Sequence, residues 1–115
     1  MSCNNQLKEN YGLFIGGEWR PASDGTTYQS TNPANGEVLT QCAQATKEDV
    51  DAAVAAAWKA FPEWKKTTKE ERAAILDKIA DRVEENQEWL AKVETMDNGK
   101  PIRETMAIDV PYSIR

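Results

Sequence analysis

The spacing of apolar positions along the chain changes once, and the change divides it. From Tyr11 to Ala45 apolar residues come in short runs broken by turn dipeptides. Leu13, Phe14 and Ile15 stop at Gly16-Gly17, and Asp24-Gly25 and Asn35-Gly36 punctuate the stretch up to Ala45. Short runs bounded by Gly, Asn and Asp predict strands joined by tight turns. The strands are expected at 13–15, 18–20, 26–31 and 37–43, with Gly16-Gly17 as a hairpin turn. Asn32-Pro33 must be extended or in a turn, because proline restricts the residue before it. Residues 11–45 therefore predict a small antiparallel β unit, and the polar residues 1–10 a disordered tail.

From Thr46 the period becomes helical. Thr46 with Asp49 forms a capping box, and Val50, Val54, Ala57, Trp58 and Phe61 share one face. The run "DAAVAAAWKA" favours helix, and Pro62 should end it or nearly so. Thr68 with Glu71 forms a second box, ahead of the stripe Ile75, Leu76, Ile79 and Val83. Asn86 starts or bends the next helix, whose apolar face is Trp89, Leu90, Val93 and Met96. Asn98-Gly99 supplies a left-handed stop and Pro101 a new start. Ile102, Met106 and Val110 continue the pattern, with Ile108 off the face and Pro111 as a kink. Residues 46–115 thus predict a helical segment of three to four helices. The apolar face runs to the last residue, as expected of a piece cut before its domain is complete.

Charge and composition narrow the chemistry. The 115 residues suffice for one modest core. A net charge of −5, with both signs mixed, speaks against a nucleic-acid partner. No apolar run approaches a membrane span and the first residues lack a secretory signal, so a soluble, cytoplasmic protein is expected. Histidine is absent, which removes the commonest general base and any Ser-His-Asp or Cys-His site.

The remaining features read more often as structure than as sites. "FIGGEW" lacks the glycine spacing of a phosphate cradle and reads as a hairpin. Interleaved carboxylates and cations at 66–88 read as a solvated helix face with weak ion pairs. Trp58 and Trp89 lie on apolar helix faces, where packing is the ordinary role. Cys3 falls in the tail. Cys42 falls in a strand, with no activating neighbour legible, and reads as a structural thiol. Asp97 precedes a helix terminus with free carbonyls nearby. A carboxylate beside carbonyls suits a hard cation, although shaping the turn is the more usual role.

Five stretches, "LFIGGEWR", "TNPANGEVL", "TKEDVDAAVAAAWKAF", "RAAILDKIADRVEEN" and "ETMDNGKPIRET", occur here in the order found in one family. Over Tyr11 to Arg115 the chain resembles the N-terminal part of the NAD(P)-dependent aldehyde dehydrogenases. The wording "DNGKPIRETMAIDVP" is most similar to bacterial enzymes acting on short aliphatic aldehydes. The resemblance implies an α/β fold: a small antiparallel β unit followed by helices that begin the cofactor-binding domain. It implies NAD or NADP as cofactor of an intact homo-oligomeric enzyme, with the rest of that chain as partner.

In that family a cysteine attacks the aldehyde, hydride passes to the nicotinamide, and an activated water hydrolyses the thioester. The residues concerned correspond to none in this sequence, and neither Cys3 nor Cys42 stands in the nucleophile's place. The resemblance does imply a monovalent cation, Na+ or K+, held by the Thr31 carbonyl and Asp97, with a further ligand outside the matched region. The piece alone is therefore expected to be inactive. The rival expectation is a non-catalytic helical module that binds other proteins through its apolar faces.

Overall fold

The computed structural model describes residues 6–114. Cys3 and residues 1–5 of the expected tail lie outside them. The chain forms two compact units and passes between them more than once. The unit of helix α1 (Lys47–Trp64) holds Leu7–Ser30 and Leu39–Thr67, and the unit of helix α3 (Gln87–Asn98) holds Thr31–Val38 and, as far as described, residue 6 and residues 68–114.

In the α1 unit, β2 (Leu13–Ile15) and β3 (Glu18–Arg20) pair antiparallel around Gly16-Gly17. Both glycines have positive φ, 64° and 86°, as the favoured two-residue hairpin turn requires. Phe14 and Trp19 face each other across the pair with ring centroids 5.1 Å apart. A second sheet has the order β1-β5-β4, with β1 at Asn10–Tyr11, β4 at Thr27–Thr31 and β5 at Val38–Ala43. Bonds from Gln44 N–H to the Thr26 carbonyl and from Asn32 N–H to the Glu37 carbonyl make β4–β5 an antiparallel hairpin.

β1 departs from the expectation of an all-antiparallel unit behind a disordered tail. It pairs parallel with β5, Asn10 beside Gln41 and Tyr11 beside Cys42. The Thr40 hydroxyl donates to the carbonyls of Lys8 and Glu9, at 2.8 and 3.1 Å. Residues 8–10 are thus held by side-chain and main-chain bonds, which a polar, non-periodic sequence gives no sign of.

Helix α1 (Lys47–Trp64) opens on the Thr46–Asp49 capping box. It passes Pro62 and ends two residues later. Proline this close to the end removes only one donor, and Lys65 N–H still reaches the Phe61 carbonyl at 2.9 Å. The helix packs on β2 through its alanines. Its expected apolar face is not covered: Val50, Val54 and Trp58 are 53, 51 and 68% exposed.

The α3 unit consists of α2 (Lys69–Glu85), α3 (Gln87–Asn98) and a segmented last helix packed on both. Thr68 and Glu71 form the second capping box, and Asn86 ends α2 and opens α3. The last helix begins as α4 (Ile102–Glu104), widens into a π-turn (Thr105–Asp109) and closes as α5 (Val110–Ile114). Ala91, Thr105 and Val110 are the buried centre of the unit. No helix among the described residues is long and apolar enough to cross a membrane.

Candidate functional site

The corner between α3 and α4 is where residues singled out by sequence meet other segments of their unit. Gly99 ends α3 with φ 80°, its N–H on the Thr95 carbonyl at 3.0 Å. The Asn98 side chain accepts from Lys100 N–H at 2.7 Å, which turns the chain toward Pro101. Pro101 takes the N-cap position of α4.

Opposite this corner lies the tip of the β4–β5 hairpin. Asn32 organises it, its side chain accepting from Ala34 N–H at 2.9 Å and its carbonyl from Gly36 N–H at 2.7 Å. A Cβ at Gly99 would stand 3.0 Å from the Pro33 ring. The two loops therefore touch where only glycine fits, both by φ and by space. Thr31 lies two residues before Pro33, and Asp97 two residues before Gly99. Both are exposed, and Asp97 already has an interaction partner.

Behind the corner, three side-chain ties hold the last helix to α3 and the loop. The Lys100 ammonium pairs with the Asp109 carboxylate at 2.5 Å, which pushes the lysine pKa upward. The Thr95 and Thr105 hydroxyls bond at 3.0 Å, and Thr105 Oγ1 also donates to the Ile102 carbonyl. The Gln87 amide donates to the Met106 carbonyl at 3.2 Å. Lys100 lies in the break that the sequence marks, but its pairing with Asp109, and the part that Gln87 and Thr105 play behind the corner, were not legible. Lys100 and Asp109 stand nine apart, too far for a helical pair, and nothing marks a proline-turn-proline segment as folding back.

The corner supplies a carboxylate and main-chain oxygens, which suit a hard cation and do no redox chemistry. Among the described residues no group of three His, Cys, Asp or Glu could hold a metal ion. Thr31 and Asp97 by themselves make fewer ligands than a monovalent cation needs.

A second polar cluster, in the α1 unit, gathers around Asp49. One carboxylate oxygen accepts from the N–H and hydroxyl of Ser23, at 3.0 and 3.2 Å, and from the N–H and hydroxyl of Thr46, both at 3.0 Å. The Ser23 N–H leads these donors in lowering the Asp49 pKa to about 2. A carboxylate so acidic is a poor base at neutral pH, so its closeness to two hydroxyls does not make a nucleophile. Its role is to tie the residues after β3 to the start of α1. Cys42 sits half-buried in β5 as a free thiol, and Gly16-Gly17 face a shallow groove on α1 lined by Ala53, Ala56 and Ala60.

The model of the aldehyde dehydrogenase family matches residues 19–115. Aldehyde dehydrogenase B of Escherichia coli K12 is 52% identical over 109 residues, covering 95% of this chain and 21% of the relative. An aldehyde dehydrogenase of Deinococcus radiodurans is 50% identical over 108 residues, covering 94% of this chain and 21% of its own. The NAD+ complex of an aldehyde dehydrogenase from Bacillus cereus superposes with a TM-score of 0.87 at 42% identity, over 91% of this chain and 22% of that one. The chain thus spans about a fifth of the length of the relatives it matches.

Proposed function

Since the chain belongs to the aldehyde dehydrogenase family, we propose that it is the N-terminal part of an enzyme that oxidises an aldehyde to a carboxylic acid with NAD(P)+. Aldehyde, water and oxidised cofactor give acid, reduced cofactor and a proton. The observation that carries the reading is the match across 19–115, in sequence and in fold. NAD is the favoured cofactor, because the Bacillus cereus relative is described in complex with NAD+. Short aliphatic aldehydes are the favoured substrates, in a cytoplasmic homo-oligomer. The divisions expected from sequence, a β-hairpin unit at 11–45 and a helical segment at 46–115, would serve as the outer part of the cofactor domain.

In this reading the piece itself is scaffold. Given NAD+ and acetaldehyde, the 115-residue chain is expected to give no steady rise in NADH absorbance. Sustained turnover would overturn the reading. Thr31 and Asp97 would offer two oxygen ligands to Na+ or K+ at the corner. A full-length enzyme should then melt higher in sodium or potassium chloride than in choline chloride, and Asp97→Asn should erase the difference. Equal melting in all three salts would remove the cation.

The rival reading, a non-catalytic module, is favoured by the open face of α1. Appending the remaining four-fifths of a relative separates the two: restored activity supports the scaffold, and none supports the module.

A further inference from the structure

The π-turn has a cause in the sequence, and the cause points to a function for Gln87. In an α-helix the N–H of residue 111 would bond the carbonyl of residue 107, but residue 111 is proline, which lacks the donor and clashes with that carbonyl. The chain widens instead, and Val110 N–H reaches back five residues to the Thr105 carbonyl. That spacing moves the proline's missing donor onto Met106, whose partner five residues on is Pro111. The Met106 carbonyl is the one to which the Gln87 amide donates, at 3.2 Å in a partly buried setting. A buried carbonyl without a donor is costly, so this bond holds the wide register in place.

The register also decides where Asp109 points. One residue of slip turns a helical side chain by about 100°. In the wide register Asp109, at the end of the π-turn, is set against Lys100 in the corner, at 2.5 Å, and a return to the ordinary register would turn it away. We propose that Gln87 is a positioning residue: by donating to the carbonyl that Pro111 leaves without a partner, it locks the π-turn and so anchors the Gly99–Pro101 corner through Asp109 and Lys100. The inference concerns the corner's shape and stands whether or not a cation binds there.

The test is a double-mutant cycle in the full chain. Gln87→Glu keeps the side chain's shape and removes its donor. It is expected to lower the midpoint of urea unfolding and to speed amide exchange at Gly99 and Lys100 at least fivefold. Pro111→Ala returns a main-chain N–H and frees the segment to close as an ordinary helix. In that background Gln87→Glu should shift the midpoint by less than half as much, because residues that share one network are not additive. If Gln87→Glu alone fails to fold, adding Pro111→Ala should restore folding. Equal shifts in both backgrounds, or a double variant that stays unfolded, would overturn the proposal. So would unchanged exchange at Gly99 and Lys100.

Discussion

The two units stabilise themselves differently. The α3 unit encloses apolar side chains, Ala91 at 0% and Val110 at 6% exposure, with Thr105 buried between its polar ties. Among the described residues of the α1 unit, Ala22 is the buried apolar one, and the other buried side chains, Thr40 and Asp49, are polar. Each of those joins segments far apart in sequence: Thr40 holds Lys8 and Glu9, and Asp49 holds Ser23. One unit is built around a small core. The other is pinned at its ends while the apolar stripe of α1 remains open, as part of the α2 stripe does in the first unit, where Leu76 is 66% exposed. Apolar periodicity thus shows which face wants covering, and not whether this chain provides the cover.

The sharpest way to break the contrast is a charge in the small core. Val110→Asp is expected to destabilise the chain on the order of 4 kcal/mol, since the carboxylate would have no partner in a dry site. Denaturant unfolding reads it, and a loss under a quarter of that would mean the core is not closed. Next in size is Gly99→Ala, with roughly 2 kcal/mol from left-handed strain at φ 80° plus the Pro33 contact. Gly17→Ala in the other unit meets nothing within 4 Å and should cost less. If the two cost the same, the loops at the corner do not touch.

Titration sharpens the other half of the comparison. Asp49 falls from an ordinary 3.8 to about 2 in the folded chain. The unfolded chain therefore takes up the proton first. The stability this group contributes is complete above 3.8 and is lost as pH falls toward 2. Asp49→Asn should flatten that part of the stability–pH curve, and an unchanged slope would show that the Ser23 tie does not form in solution. The smallest effect belongs to the open stripe: Val54→Asp should stay within about 0.5 kcal/mol in the 115-residue chain, as exposed substitutions do. A markedly larger cost would mean that α1's face is covered after all, by a second copy of the chain.

Local chemistry was legible in the sequence, and long-range chemistry was not. Both capping boxes, the Gly16-Gly17 hairpin, the Gly99 stop and the Pro101 start arise from residues within four of one another. The α/β class and the family resemblance came from several such stretches in order. β1 was missed because two residues carry no period, and their pairing with Gln41 and Cys42 spans the whole β unit. The π-turn was missed because apolar spacing of three and four is blind to a step of five; Pro111 announced a disturbance without its form. Thr31 and Asp97 were singled out and Lys100 falls in the marked break, yet Gln87 and Asp109, which shape the surroundings, carry no local mark. A fold-back tie shows itself only when the backbone path is known.

The alanine run of α1 has a consequence beyond helix propensity. Gly16 overlooks these alanines with room to spare: a Cβ there would stand 3.9 Å from the Ala56 methyl, an ordinary contact, and Ala53, Ala57 and Ala60 line the same groove. The run leaves a groove: its small side chains keep open space beneath the glycine turn. What looks like repetitive filler in the sequence is unclaimed room, and a single leucine there would take up part of it while leaving the helix itself intact.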